Sequence, residues 1–334
     1  MDRPATIEDV ARAAGVSRQT VSNVVNSPAI VREQTKERVQ EAIRRLGYAP
    51  HASARRLRTR RSSTVGIHLD PYAGGISGVV LDRFVHALTE RAGERGLRVM
   101  LYAARSPEEE IRRMTELRDG GDIDAVVITG TFHGDPRSQW LLDHGVPFVA
   151  FGRPWGADDL GAPAHLWVDV DGAAGTAQAT RHAIATAGPR VGFLGWPSGS
   201  GTGDDRERGW RETVPQGGAA PVRLTSPESV STARAVVERA LAAAEFDALV
   251  CASDSLAVGA QLAAVTSGRP GLPIIGFDNT PAAEALGFPS IEQMPEQVAS
   301  GALDLLLAGG RDILPREVSP HEAHVLVEPR LVLR

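Results

Sequence analysis

The sequence predicts a small all-α helix-turn-helix headpiece followed by an α/β core of two doubly wound parallel-sheet subdomains. Three observations carry that reading. Between Thr6 and Asn26, apolar residues recur at helical spacing on either side of a glycine. From Thr64 onward, short continuous apolar runs alternate with amphipathic stretches, as parallel strands covered on both faces require. Charge is divided as well. Residues 1–61 hold 13 basic and 6 acidic residues, a net of +7, and the rest holds 23 and 35, a net of −12, within an overall charge of −5. A basic head on an acidic body fits a module that meets nucleic-acid phosphate joined to one that does not.

Bulk features narrow the class. No run of eighteen apolar residues occurs, so no membrane-spanning helix is expected. The start, M-D-R-P-A-T, lacks the charged, apolar and small-residue order of a signal peptide. Cys251 is the only cysteine, so no intrachain disulfide can form. Together these predict a cytoplasmic protein. The 334 residues suffice for a small module plus a core of one or two domains.

In the first helix Thr6 is placed to cap, with Asp9 three residues on as in a capping box. Ile7, Val10, Ala11 and Ala14 share one face, and Gly15 ends the helix because glycine accepts left-handed geometry. Ser17 caps the second helix, whose expected buried stripe is Val21, Val24 and Val25. The other face carries Arg18, Gln19, Ser22, Asn23 and Asn26, guanidinium and amide groups with little apolar cover. Such a helix suits the major groove of DNA better than it suits a merely solvated surface.

The same residues carry a resemblance. From Thr6 to Asn26 the run T-I-E-D-V-A-R-A-A-G-V-S-R-Q-T-V-S-N-V-V-N resembles, without a gap, the headpiece pattern T-x-x-D-V-A-x-x-A-G-V-S-x-x-T-V-S-x-V-x-N of LacI/GalR-type transcriptional regulators. A third helix, Arg32–Leu46, with Val39, Ile43 and Leu46 on one face, is expected to close a three-helix core. The family usually has Ser or Asp near its start, where this chain has Arg32, which cannot cap. Gly47-Tyr48-Ala49-Pro50 matches the family's G-Y-x-P. The linker His51–Arg61 is basic and weakly helical, with Leu57 its one large apolar residue. Read alone, it is a flexible linker with phosphate-seeking arginines. The resemblance implies instead a hinge helix that orders on DNA and wedges Leu57 into the minor groove. It also implies that Arg18, Gln19 and Asn23 face base edges and that Ser17, Thr20 and Asn26 hold phosphates. Thr6, Ser22, Tyr48, Ala54 and Arg55 complete the implied DNA contacts.

These readings divide the chain into a headpiece at 1–50, a hinge at 51–62 and a core at 63–334. Expected core strands are Val65–Leu69, Arg98–Tyr102, Ala125–Thr129, Pro147–Phe151, Arg190–Gly195, Ala248–Ala252 and Pro273–Phe277. Helical runs between them include Val79–Arg95, Glu108–Arg118, Gly172–Ala187, Ala233–Ala244 and Leu256–Thr266. That is too much for one ordinary sheet, so two subdomains are expected, with a cleft at the carboxyl ends of their strands. The resemblance implies a periplasmic-binding-protein-like core with three crossings, expected near Leu160, Pro281–Ile291 and Pro320. The N-subdomain would then be 63–160 plus 282–319, and the C-subdomain 161–281 plus 320–334.

Polar residues at strand ends are the candidate ligand groups. Arg153, Asp169, Asp171, Arg206, Ser253, Asp254 and Asp278 all follow expected strands or open helices. Each alone is as readily a cap or an ion pair. The resemblance selects Arg206 in Arg206-Glu207-Arg208-Gly209-Trp210 and Asp278 in Gly276-Phe277-Asp278-Asn279, whose family counterparts bind effector hydroxyls. It adds Arg153 as a further candidate. Ser253 stands where the family often has an effector-contacting Asn, and serine is shorter, with one donor rather than two. Asp171 completes the set. Tyr72 and Trp196 could each stack on a sugar face.

Three patterns carry less. Gly199-Ser200-Gly201-Thr202-Gly203 lacks the spacing of a phosphate-binding loop and reads as a flexible loop. His321-x-x-His324 has no third ligand nearby, so no metal is expected. Glu108-Glu109-Glu110 opens a helix, where acids favour the dipole. No nucleophile, base and orienter can be assembled, so no catalysis and no cofactor are expected.

The leading expectation is a sequence-specific transcriptional regulator, most simply a repressor of a carbohydrate operon. It would bind a pseudo-palindromic double-stranded DNA operator as a homodimer and be released by a small sugar. A dimer rather than a tail-tethered tetramer is expected, because Leu331-Val332-Leu333-Arg334 carries no heptad tail. The alternative is a sugar-binding protein or enzyme on the same core, for which the basic headpiece has no use.

Overall fold

The computed structural model describes residues 5–26, 28–48, 62–69, 78–156, 158–215, 221–243, 246–307 and 323–334. Contacts divide the chain into two units, Met1–Ser62 and Ser63–Arg334.

The first unit is helical: α1 (Ile7–Ala14), α2 (Arg18–Asn26), a 3₁₀ turn (Pro28–Ile30) and α3 (Glu33–Leu46). The capping box forms, with Asp9 N donating to Thr6 Oγ1 at 3.4 Å and Thr6 N donating to Asp9 Oδ2 at 3.0 Å. Ser17 Oγ accepts from Thr20 N at 3.1 Å and so caps α2. Val10, Val21 and Val39 are fully buried at the centre, with Ala11, Ala14, Val24 and Ala42 around them. Val25, expected in the stripe, is 36% exposed. Each residue advances a helix by roughly 100°, so the stripe through 21 and 24 leaves 25 at its margin. Arg32 leaves the start of α3 without a side-chain cap, as its chemistry requires.

The second unit holds two sheets. The first has the order β11-β5-β4-β3-β1-β2, built from β1 (Thr64–His68), β2 (Arg98–Tyr102), β3 (Ala125–Thr129), β4 (Phe148–Phe151), β5 (Trp167–Val170) and β11 (His324–Val327), all parallel. The second has the order β12-β10-β9-β8-β6-β7, built from β6 (Val191–Gly195), β7 (Arg223–Thr225), β8 (Ala248–Cys251), β9 (Ile274–Phe277), β10 (Ser290–Glu292) and β12 (Arg330–Val332). Only its edge strand β12 runs antiparallel, against β10. The helices are α4 (Gly78–Glu94), α5 (Pro107–Asp119), α6 (Pro136–Asp143), α7 (Gly172–Ala187), α8 (Gly201–Thr213), α9 (Val230–Ala243), α10 (Asp254–Thr266), α11 (Pro281–Leu286) and α12 (Pro295–Leu307).

Strand β3 explains the continuous apolar runs. Ala125 and Val127 face one cluster with Phe84, Leu88 and Leu303, while Val126 and Ile128 face another with Met114, Leu141 and Trp167. Both faces are covered, so every position must be apolar. The second sheet is packed around Phe193, Trp210, Phe246, Phe277 and Phe288.

The first and third crossings lie elsewhere than expected, and the second lies just past its expected range. The first follows β5, not Leu160, because Trp167–Val170 is a buried strand that extends the first sheet from β4. The second follows β10, because Ser290–Glu292 pairs with β9 before the chain returns to the first subdomain through α12. The third lies between β11 and β12, which end in different sheets, and not at Pro320, which is outside the described residues. The first subdomain is thus 63–170 with 295–307 and 323–327, and the second is 172–292 with 330–334.

Gly199–Gly203, expected to be a flexible loop, instead leads into the first turn of α8. Ser200 Oγ caps it by accepting from Gly203 N at 3.2 Å. Further along α8, a Cβ on Gly209 would lie 2.1 Å from the carbonyl oxygen of Ala173, so α7 and α8 meet backbone to backbone there.

Candidate functional site

In the headpiece, α2 turns Val21 and Val24 inward, and its remaining side chains form an ordered polar face. Gln19 Nε2 donates to Asn23 Oδ1 at 3.0 Å, one turn on. Ser17 and Thr20 share a hydroxyl hydrogen bond of 2.9 Å at the helix start. Arg18 Nη1 lies 3.1 Å from Glu8 Oε1, with the arginine side chain 69% exposed. An exposed pair of this kind holds weakly, so the guanidinium can exchange Glu8 for a base or phosphate at little cost. Tyr48 is half-buried against the helical core, and burial, with the charge of Glu8, raises its hydroxyl pKa. The side chain of Asn26 and all of Ala54, Arg55 and Leu57 lie outside the described residues.

In the core, the carboxyl ends of the parallel strands of both subdomains converge on a cavity of about 400 Å³. The first subdomain contributes His68, Thr129, Thr131, Arg137, Trp155 and Asp169 to its walls, the second Gly172, Thr202, Asp205 and Arg206, and the crossing after β10 Gln293.

Ion pairs organise both walls. Arg153, just after β4, donates from Nε to Asp169 Oδ2 at 3.0 Å and from Nη2 to Asp205 Oδ2 at 3.1 Å. It therefore ties the two subdomains together. Asp205 also accepts from Ala173 N at 3.0 Å and from Arg208 Nη2 at 2.7 Å. Arg206 donates to the carbonyl of Ala252 at 2.6 Å and lies 3.6 Å from Asp278 Oδ1. Its guanidinium stands 3.7 Å from the Phe277 ring centroid. Burial pulls the Arg206 pKa below its ordinary value, opposed chiefly by the charge of Asp278. Gln293 Nε2 donates to the same Asp278 oxygen at 2.6 Å.

A second network sits in the first subdomain. Arg137 pairs with Asp135 through Nε at 3.0 Å and Nη2 at 2.6 Å, and with Glu110 through Nη1 at 2.8 Å. Tyr102 donates to the other Glu110 oxygen at 3.2 Å, and His68 Nδ1 lies 3.7 Å from Glu110. Burial opposes the charge on Arg137, but the bonds to Asp135 and the charge of Glu110 outweigh it and raise its pKa. Glu110, expected only as a helix-opening acid, is thus a buried counterion.

Burial pushes the Asp169 carboxyl up to about 6 from an ordinary 3.8, against the pull of Arg153. The stability that a group with a raised pKa contributes is present below its unfolded value and lost as pH rises through its folded value. The Asp169→Asn variant is therefore expected to become steadily more stable relative to the parent as pH rises from about 4 to about 7. Thermal midpoints of the two proteins across that range would check it, and a pH-independent difference would refute it.

Of the expected ligand groups, Arg206 lines the cavity, Arg153 bridges Asp169 and Asp205 beside it, and Asp278 stands behind Arg206. Asp171 instead caps α7, accepting from Ala174 N at 2.9 Å, and Asp169 lines the cavity together with Asp205. Ser253 is fully buried, caps α10 and donates to Glu228 at 2.8 Å. Asp254, read as a possible cap, instead ties α10 to the loops around β9, accepting from Thr280 N at 2.7 Å and Ser290 Oγ at 2.6 Å. Trp196 donates to Glu228 at 2.6 Å and covers Arg206, so it packs within the second subdomain. Tyr72 and His321 lie outside the described residues, and His324 stacks on Trp167 at 4.7 Å. Sequence reasoning missed His68, Arg137, Trp155, Asp205 and Gln293. Two of these had a local signal, because Asp205 directly precedes Arg206 and Trp155 lies two residues after Arg153.

Comparison with known proteins follows the same division. The family model of bacterial regulatory proteins of the lacI family matches residues 6–51. That of periplasmic binding proteins and the sugar binding domain of the LacI family matches residues 80–309. The HTH-type transcriptional regulator CelR of Thermobifida fusca is 33% identical over 304 residues, 84% of this chain and 84% of that protein. The chain belongs to the LacI family. Like its relatives, this LacI-family protein is a DNA-binding regulator of transcription. Its fold matches a LacI-family regulatory protein from Chloroflexus aggregans, with a TM-score of 0.70 and 28% identity over 81% of this chain and 97% of that one. It also matches the CelR–cellobiose complex, with a TM-score of 0.67 and 27% identity over 99% of each chain. Among the described residues of this LacI-family member, no helix is long and apolar enough to cross a membrane.

Proposed function

We propose that the chain is a cytoplasmic homodimeric repressor that binds a pseudo-palindromic operator and releases it when the cleft takes up a neutral mono- or disaccharide. The observation that carries the effector class is the charge of the cleft. On its walls two guanidiniums, Arg137 and Arg206, stand with two carboxylates, Asp169 and Asp205, while Glu110, Asp135, Arg153 and Asp278 pair with these from behind. Each arginine already faces a carboxylate, so an acidic or phosphorylated sugar would find no unpaired guanidinium among the described lining residues. A neutral sugar offers hydroxyls that donate to carboxylates and accept from guanidiniums. The cavity of about 400 Å³ suits a ligand of that size. The cellobiose in the CelR complex supports the same class. We read the cleft as a binding site without chemistry of its own.

On DNA, Arg18, Gln19 and Asn23 would read base edges, while Ser17, Thr20 and Asn26 would hold phosphates, supported by Thr6, Ser22, Tyr48, Ala54, Arg55 and Leu57. Sugar binding would alter the angle between subdomains and so separate the paired hinges at 51–62. Coupling of this kind is typically about 1–3 kcal/mol and reciprocal, so operator DNA would weaken sugar binding by the same factor.

A footprint of the upstream region, repeated with cellobiose, maltose, raffinose and galactose, tests the reading. Protection that no sugar relieves would remove the effector class. Gln19→Ala is expected to cost about 1–3 kcal/mol on the operator and little on random DNA. Equal losses on both sequences would refute base reading by that residue.

A further inference from the structure

One residue at the cleft has no role in the reading so far. Trp155 follows β4 and lines both the inner cavity and a second recess of about 570 Å³ on its outer side, which Asp158, Asp159, Asp204 and Arg208 also line. It thus stands between the two spaces. Its backbone is left-handed, with φ of 58°, a conformation that a bulky residue adopts only when its surroundings impose it. Here His133 Nδ1 lies 2.9 Å from the Trp155 carbonyl and holds the loop.

The indole reaches across the cleft. Its face rests on Gly201, the first residue of α8 in the opposite subdomain. A Cβ at that position would lie 2.3 Å from Trp155 Cδ2 and 2.6 Å from Cγ. Only glycine leaves room for the ring. Alongside runs the second bridge between the same two segments, Arg153 to Asp205 at 3.1 Å, with the Arg153 guanidinium 5.2 Å from the indole centroid. An apolar contact and an ion pair therefore close the cleft side by side.

The polar edge of the indole is unsatisfied. Trp155 Nε1 is buried and has no hydrogen-bond acceptor among the described residues, and the same holds for Arg206 Nε, whose residue lines the opposite wall of the inner cavity. A buried donor without an acceptor is costly, and buried donors are normally satisfied. One such donor comes from each subdomain, and each would meet an acceptor oxygen only when the packing around it opens.

We propose that Trp155 is a ligand-contacting gate: its indole lifts from Gly201 to admit a sugar and, on closing, donates Nε1–H to a sugar oxygen. This rests on the reading of the cleft as the sugar site. The ring closes the inner cavity mechanically and its N–H reports that the ligand is in place. Ligand binding and subdomain closure are thereby joined in one side chain.

Calorimetry on the full-length protein with cellobiose, maltose, raffinose and galactose tests the proposal. Trp155→Phe keeps a ring on Gly201 and removes the donor, so affinity for the sugar that binds is expected to fall about tenfold, the scale of one lost hydrogen bond. Trp155→Ala should lose about 100-fold, since closure goes as well. Trp140→Phe, which removes an indole stacked on His144 away from the cavity, should leave binding unchanged. Gly201→Ala should weaken binding about tenfold in the parent protein and not at all in the Trp155→Ala background, because the added methyl then meets no ring. Phe and Ala variants within about twofold of the parent, or a Gly201→Ala loss that persists without the indole, would overturn the gate while leaving the sugar reading intact. A parent protein that binds none of the four sugars at millimolar concentration would overturn both.

Discussion

Replacing Arg206 by alanine is expected to lower sugar affinity by at least about 100-fold while leaving operator binding without sugar unchanged. Among the described residues, Arg206 is the one guanidinium of the second subdomain on the cavity wall, and its Nη1 is fixed by the Ala252 carbonyl at 2.6 Å. A flat aromatic surface supports it, with Phe277 at 3.7 Å and Trp196 at 5.4 Å. Its geometry is therefore set before the ligand arrives. Hydrogen bonds from a charged donor contribute about 1.5–3 kcal/mol each, and losing one or two of them gives the expected factor. Arg206→Lys keeps the charge but loses the planar fork, and should recover little. Without sugar there is no ligand for this side chain to hold, so operator binding in its absence is expected to match the parent. Calorimetry and gel shifts on the same preparations would check both halves. A variant that still binds sugar as the parent does would move the site away from Arg206.

Arg137→Ala is expected to destabilise the core by about 3–5 kcal/mol, the usual cost of leaving a buried charge without its partner. The arginine is 5% exposed and is the shared cation for Asp135 and Glu110, which are 7% and 2% exposed. Deleting it strands two carboxylates at once. Neutralising them in the Asp135→Asn, Glu110→Gln background should recover part of the loss, because the penalty lies in the stranded charges. All five tryptophans lie between Trp140 and Trp210, so intrinsic fluorescence in a urea titration reports the core and not the headpiece. A loss below about 1 kcal/mol would mean that water reaches the carboxylates and that the network contributes little to stability.

The sequence by itself determined the headpiece almost completely. Its signals are local: Thr6 with Asp9, Ser17 with Thr20 and Gly15 at the turn each act within a few residues. Helical period then places Val10, Val21 and Val39 inside and leaves Arg18, Gln19 and Asn23 outside. In the core, the long apolar strands and the longer helices were legible for the same reason. The short strands were not. Trp167–Val170 and Ser290–Glu292 are strands because a neighbour pairs with them, and three or four residues carry no period of their own. Their omission displaced the expected crossings. Glycine-rich sequence at 199–203 hid the start of α8, whose large apolar anchor, Trp210, is buried further along.

The site divides in the same way. Arg153 and Asp278 were legible because they follow strands whose carboxyl ends must converge, and Arg206 and Asp278 because motifs around them match a family. What each of them does was decided by the tertiary structure. Arg153 meets Asp205 across 52 residues, Arg137 meets Glu110 across 27, and Arg206 meets the Ala252 carbonyl across 46. No periodicity connects such positions. Packing decided that Asp169 rather than Asp171 lines the cavity, that Ser253 turns inward as a cap, and that Trp155 lies on Gly201. Local rules specify which residues are helical, extended or capped, since those energies act between near neighbours. Only the fold brings the two sheets together, and the charges on the cleft walls acquire their partners there.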